Sequence, residues 1–139
     1  MEPTDPLGAA EAARERIAEQ VARASERKAQ VQTLAADLRA TTATAKSARA
    51  EVTVTAQPSG RITAVEFAPA AESLGAAELS RIVTHTIAAA QHQAALNAVE
   101  RSSQTLGETA ELVTQLRAEA AAAFPDPGPI ARGGSAWRD

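Results

Sequence analysis

Apolar and polar positions recur with two different periods along this chain, and these periods divide it into helices and strands. From about residue 7 to 39 few helix breakers occur, and a seam of positions recurs at alternating spacings of four and three, the period of a coiled coil. The seam consists of Ile17, Val21, Ala24, Lys28, Val31, Ala35 and Leu38. The pattern predicts one long helix over about 7–39, whose seam Lys28 interrupts.

The middle of the chain, about residues 41–68, has the composition of a small antiparallel sheet. Residues 41–45 are rich in Thr and predict a weak first strand. In Val52–Ala56 apolar residues alternate with Thr, which predicts a strand with its apolar side chains on one face. Pro58-Ser59-Gly60 predicts a turn, and a third strand ends before Pro69. We expect Phe67, in this last strand, to be buried between the sheet and the helix that follows.

A second long helix is expected from about 76 to 122. Its apolar residues follow i, i+3, i+4, i+7 spacing at Leu79, Ile82, Val83, Thr86, Ile87, Ala90 and Ala94, and continue through Val99, Leu106, Val113 and Leu116. Gly107 is the expected kink or break. The order is α-β-β-β-α, an α+β fold in one domain over 1–123, and the Pro- and Gly-rich residues 124–139 are expected to form a disordered tail.

The apolar residues are mostly small, which favours an oligomer. Of 139 residues 36 are Ala, whereas only 2% are aromatic. Alanine burial alone stabilises a monomer weakly, but small residues suit close helix packing across a subunit interface. We therefore expect a homodimer.

Several functional classes are disfavoured by composition. Scarce aromatic residues argue against base stacking, and the absence of Cys excludes thiol chemistry and disulfides. No apolar run approaches the length of a membrane span, and the acidic N-terminus does not resemble a secretory signal. The expectation is a cytoplasmic protein with no membrane partner.

No residues predict catalysis, a metal site or a cofactor. His85 and His92 are seven positions apart on one helix, about 10.5 Å along its axis, too far to hold one metal ion together. They are expected to face solvent or an interface. Glu66, Glu72 and Glu78 have no nucleophile or His beside them in a recognisable acid/base arrangement.

Residues 52 to about 100 resemble the YbaB/EbfC family of bacterial nucleoid-associated proteins. The similarity consists of a strand, a glycine turn, a strand ending in Val65-Glu66-Phe67-Ala68-Pro69, an acidic linker and an amphipathic run from Glu78 to Ala90. Two positions differ from the family pattern: Ala68 stands where an acidic residue usually precedes the proline, and Gln91-His92-Gln93-Ala94 replaces an Asn-Asp-Ala-like step. The high alanine content fits an actinobacterial-type variant.

The resemblance implies a tweezer-like homodimer that grips double-stranded DNA with little sequence preference and is associated with the nucleoid. Such binding requires Lys and Arg contacts to phosphates. The chain has net charge −3, but residues 14–61 carry nine basic and five acidic side chains, whereas residues 64–126 carry three and eight. The candidate DNA-binding residues are Arg16, Arg23 and Arg27 on one helical stripe, and Lys46, Arg49 and Arg61 near the turns of the sheet.

Two other interpretations of the same residues remain open. The arginine stripe could be a solvated helix face, in which Glu19 pairs with Arg23 at i, i+4. The helix seams could instead bind another helical protein, as in an interaction adaptor or chaperone, and relatives of the family in some bacteria look like companions of secretion systems. Salt dependence discriminates between DNA and a protein partner, because phosphate contacts weaken steeply with added salt.

Overall fold

A computed structural model of the protein describes residues 6–130. Along the chain these residues form α1 (Pro6–Ala40), β1 (Ala43–Lys46), β2 (Val52–Ala56), β3 (Ile62–Phe67), a 3-10 turn (Pro69–Ser73), α2 (Ala76–Leu106) and α3 (Glu111–Ala123). The chain divides into two compact units between Ala35 and Ala36. The α+β order expected from the sequence is confirmed.

Helix α1 extends over 35 residues and makes up the described part of the first unit almost entirely. Its seam is open: Ile17 and Val21 are each 59% exposed, and Val31 is 42% exposed. Leu34, near the end of the unit, is buried. The helix thus exposes an apolar row, interrupted at Lys28, that a partner could cover.

The three strands described within residues 36–130 form an antiparallel sheet in the order β1-β2-β3. Val52 pairs with Phe67 and Val54 pairs with Val65, so these four side chains share one face. A bulge shifts the register between Thr55 and Ala56. The predicted strands are present, with the first shifted to Ala43–Lys46.

The core lies between the central strand and α2. Val52, Val54 and Ala56 of β2 are fully buried and belong to one apolar cluster with Ile82, Ala90 and Ala94 of α2. Small alanines on α2 allow the helix to approach the sheet closely. The apolar faces predicted for β2 and α2 are therefore both confirmed.

Phe67 does not lie in this core, and that prediction was wrong. Helix α2 packs across β1 and β2. Phe67 lies on β3, at the edge of the sheet, and is 54% exposed, while Val65 beside it is 39% exposed. An error in the predicted strand register does not explain the exposure of Phe67, because Phe67 faces the same side of the sheet as the buried Val52.

The second long helix breaks at the residue that the sequence indicated. Helix α2 ends at Leu106, and Gly107 follows it with a φ of +94°, which other residues rarely adopt. Helix α3 then packs against α2 and contributes the fully buried Val113. The break divides the helical region expected over about 76–122 into two helices, α2 and α3.

Residues 124–130, named here the C-terminal strap, are held against α2. His92 donates from Nδ1 to the carbonyl of Phe124 (2.9 Å), and His85 donates from Nε2 to the carbonyl of Gly128 (2.6 Å). Ile130 packs against the apolar core. The structure thus differs from the expected disordered tail over these seven residues, and the rest of that tail, 131–139, lies outside the described residues.

The turn between β1 and β2, residues 47–51, is organised around the Glu51 carboxylate. Glu51 is 7% exposed and accepts hydrogen bonds from the Ser47 hydroxyl (2.9 Å) and the Arg49 backbone N–H (3.0 Å). Hydrogen bonds from its own backbone N–H, from Ser47 and from Arg49, with the Arg49 charge, hold the pKa of Glu51 below its ordinary value against the opposing effect of burial.

The contact between Gly60, in the β2–β3 turn, and Phe124, in the strap, can be tested by substitution. A Cβ added to Gly60 would stand 2.5 Å from Cζ of Phe124, and Gly60 has a φ of +93°. Gly60→Ala should therefore lower the free energy of unfolding, measured in urea, by about 1–3 kcal/mol for the backbone alone, with a further decrease from displacing Phe124.

Gly107→Ala is the matched control for this substitution. Its φ is +94°, but an added Cβ meets nothing within 4 Å, so it reports backbone strain without the steric conflict. Gly60→Ala should be the more destabilising change, and the excess should disappear when Phe124 is also replaced by Ala. Equal destabilisation at the two glycines would contradict the packing of Phe124 on Gly60.

The lowered pKa of Glu51 predicts a pH dependence of stability. A carboxyl group whose pKa is lower in the folded protein stabilises the fold above its unfolded pKa, about 4.3, and loses that contribution as the pH falls through the folded value. Glu51→Gln should thus be less stable than the unmodified protein at pH 7, by a margin that shrinks toward pH 3. Urea unfolding at both pH values measures it, and a margin that is constant with pH would contradict the account.

Candidate nucleic-acid interface

Arg16, Arg23 and Arg27 form an exposed basic stripe on α1. At 1.5 Å per residue their steps along the helix axis are about 10 Å and 6 Å. Arg23 also pairs with Glu19, with Nη2 and Oε2 3.4 Å apart and both side chains mostly exposed. Such an exposed i, i+4 pair is worth only about 0.3–0.5 kcal/mol, so it can be exchanged for a phosphate contact at little cost.

The stripe and the apolar seam occupy different faces of α1. At about 100° per residue, the arginines lie roughly a third of a turn around the helix from Ile17 and Val21. Arg23, Arg27 and Lys28 border a shallow depression together with Val31. A partner that covers the seam around Val31 would therefore lie directly beside Arg23 and Arg27.

Lys46 and Arg49 form a second basic group at the β1–β2 turn. Both are exposed, and both line a pocket of about 810 Å³. Arg81 and His85 of α2 line the same pocket. The sequence did not single out Arg81 as a candidate, since its place beside the turn follows from the packing of α2 on β1. The signal available was a basic residue flanking the apolar stripe of the second helix.

Arg61 is not part of this group. It follows the β2–β3 turn, whereas Lys46 and Arg49 belong to the β1–β2 turn at the other end of β2. Five residues of strand separate the two ends by about 16 Å. The structure therefore brings Lys46 and Arg49 together and leaves Arg61 apart from them.

His85, His92 and Gln91 use their side chains to hydrogen-bond backbone carbonyl groups of this chain. His85 and His92 bind the strap, and Gln91 donates from Nε2 to the Gly60 carbonyl (2.8 Å). Gln91 and His92 belong to one of the two steps at which the sequence departs from the YbaB/EbfC pattern. In this chain Gln91 and His92 connect α2 to the β2–β3 turn and to the strap, and the two histidines, expected at a solvent-facing surface or an interface, are half-buried against the strap.

The described residues offer no arrangement typical of a metal centre. Within 6–130 no three His, Cys, Asp or Glu side chains come together in a way that could hold an ion. Glu66, Glu72 and Glu78 are exposed. None of the helices in this part of the chain is both long and apolar enough to cross a membrane.

Two comparisons with known proteins gave different results. The search of curated proteins found no match to the chain, whereas a family model did match. The model of the YbaB/EbfC DNA-binding family matches residues 12–109, which include most of α1, the whole sheet and α2. Because this match covers well over half of the sequence, the chain belongs to the YbaB/EbfC DNA-binding family.

Proposed function

We propose that the protein is a nucleoid-associated homodimer that binds duplex DNA through phosphate contacts, with little sequence preference. The observation that carries the proposal is its membership of a DNA-binding family over residues 12–109. The basic stripe of α1, with Lys46 and Arg49 at the β1–β2 turn, supplies the cations for this binding.

The uneven distribution of charge supports DNA binding by a chain of net charge −3. Residues 14–61 hold nine of the fourteen basic side chains, whereas the acidic excess lies in residues 64–126. Screening over about 10 Å at moderate salt makes the local charge matter more than the total. An exposed basic segment can thus attract phosphates while the acidic segment remains outside the contact.

Weak sequence preference follows from the kind of side chains involved. Phosphate contacts fix a protein on the duplex but carry no direct information about base identity. The candidate residues are Arg and Lys on an exposed helix stripe and at the β1–β2 turn, and their charges neutralise the phosphates of any duplex sequence alike. We infer that all duplex sequences are bound with similar affinity.

The exposed apolar face of β3 supports a dimer. Val65 and Phe67 project on one face of an edge strand, which also has unpaired backbone groups along its outer side. A large aromatic residue half exposed beside a second apolar residue is typical of an interface. A second copy of the chain placed against β3 would cover these side chains.

A helical protein partner is the second candidate. The open seam of α1, with Ile17, Val21 and Val31 exposed, favours it, because an amphipathic helix binds through side chains at this spacing. The protein would then act as an adaptor or chaperone. Its affinity for such a partner would depend on salt less than its affinity for DNA does.

The proposed function predicts a specific effect of the arginine stripe. Replacing Arg23 and Arg27 together by Ala should weaken binding to every duplex alike in a mobility-shift assay. The slope of log K against log salt should become shallower by about 0.9 for each phosphate that the variant no longer neutralises.

The charge-matched control replaces Arg101 and Arg117, which are exposed in the acidic half of the chain. This pair removes the same two positive charges, so a nonspecific effect of net charge would weaken both variants equally. Equal affinities of the two variants would exclude α1 as the site of contact, and the absence of any DNA shift by the unmodified protein would favour the adaptor function.

The proposed dimer predicts an effect of Phe67. Light scattering should give twice the 14.3 kDa chain mass for the unmodified protein and the mass of one chain for Phe67→Ser. Glu66→Ser, on the opposite face of the same strand, should remain dimeric. Dissociation by Glu66→Ser but not by Phe67→Ser would place the interface on the other face of the sheet.

A further inference from the structure

The β1–β2 turn holds a buried carboxylate, Glu51, near two exposed cations, Arg49 of the turn and Lys46 at the end of β1. Lys46 and Arg49 point to solvent around the pocket of about 810 Å³, while Glu51, which also lines it, is 7% exposed. Glu51 uses its carboxylate within the turn itself, since Oε1 accepts both from the Ser47 hydroxyl and from the Arg49 backbone N–H. The Glu51 carboxylate is therefore hydrogen-bonded to the backbone of Arg49, whose side chain is exposed.

Ser47 extends these bonds to the sheet. Its Oγ accepts a hydrogen bond from the Val52 backbone N–H (3.0 Å), at the first residue of β2. The backbone N–H of Ala50 donates to the Ser47 carbonyl (2.8 Å), and Ala50 has a φ of +58°, which is unfavourable for a residue with a side chain. The surrounding hydrogen bonds hold the turn in this conformation.

We propose that Glu51 is a positioning residue for DNA binding: it fixes the β1–β2 turn so that Lys46 and Arg49 are held ready for phosphates. This inference rests on the proposed function. Holding the turn before DNA arrives reduces the conformational entropy that would otherwise be lost when the two cations bind. Without an acceptor at position 51, the Ser47 hydroxyl and the Arg49 N–H lose their partner and the turn loosens.

Charge repulsion alone predicts the opposite effect on DNA affinity when Glu51 is replaced. A negative charge beside Lys46 and Arg49 repels phosphates, so its removal should strengthen DNA binding. Positioning predicts that removal of the hydrogen-bond acceptor weakens binding even though the site becomes more positive. The two effects can be separated because Ala and Gln remove the same charge, but only Gln keeps an oxygen that can accept the two bonds.

The experiment measures duplex affinity and its salt slope for Glu51→Ala, Glu51→Gln and Glu78→Ala. Glu78 is exposed, lines the same pocket and takes no part in the turn, so it controls for charge alone. We expect Glu51→Ala to bind about three- to tenfold more weakly than the unmodified protein. Its salt slope should be shallower by about 0.9 for each phosphate that Lys46 or Arg49 no longer neutralises, whereas Glu51→Gln and Glu78→Ala should bind at least as tightly as the unmodified protein.

Rescue by Gln distinguishes positioning from a general loss of structure, and the thermal midpoint of each variant is measured alongside. If Glu51→Ala does not fold, Ser47→Ala removes the hydroxyl that bonds to Glu51 and to the Val52 N–H without changing the charge, and it should also weaken binding. Equal or tighter binding by Glu51→Ala and Glu51→Gln alike would overturn the inference while leaving DNA binding intact. Failure of the unmodified protein to bind DNA would overturn both.

Discussion

The packing of β2 against α2 is the contact on which the rest of this molecule depends. Three side chains of β2 are fully buried there, and the alanines of α2 bring the helix close to the strand. Because both turns of the sheet begin or end at β2, the same contact places the β1–β2 turn beside the first part of α2 and the β2–β3 turn beside Gln91. The basic group at one turn and the anchoring of the strap at the other both follow from it.

The same packing leaves apolar surface without cover in one chain. Since α2 lies over β1 and β2, the apolar face of β3 is exposed at Val65 and Phe67, and α1 adds an open seam at Ile17 and Val21. A small, alanine-rich chain gains little from its own core. A second copy that covers β3 would add the burial that a single chain lacks.

Local patterns of the sequence predicted the elements, but not which surfaces they cover. Alternation in Val52–Ala56 was sufficient to define a strand and its buried face, and Gly107 indicated the helix break because few other residues adopt its backbone conformation. The exposure of Phe67 depends on where α2 crosses the sheet, a tertiary property that periodicity does not contain. Two other contacts also join segments that are distant in sequence, and local patterns do not predict them. Residues 124–130 bind two histidines of α2, and Arg81 lies beside the β1–β2 turn.

The salt dependence of DNA affinity shows whether Lys and Arg contacts to phosphates bind this protein to DNA. The affinity of the unmodified protein for two duplexes of equal length and unrelated sequence can be measured over a range of NaCl concentrations. If phosphate contacts drive binding, log K should fall linearly with log salt for both duplexes, with the same slope, about −0.9 for each phosphate contacted. Absence of binding at low salt, or an affinity that hardly changes with salt, would contradict it.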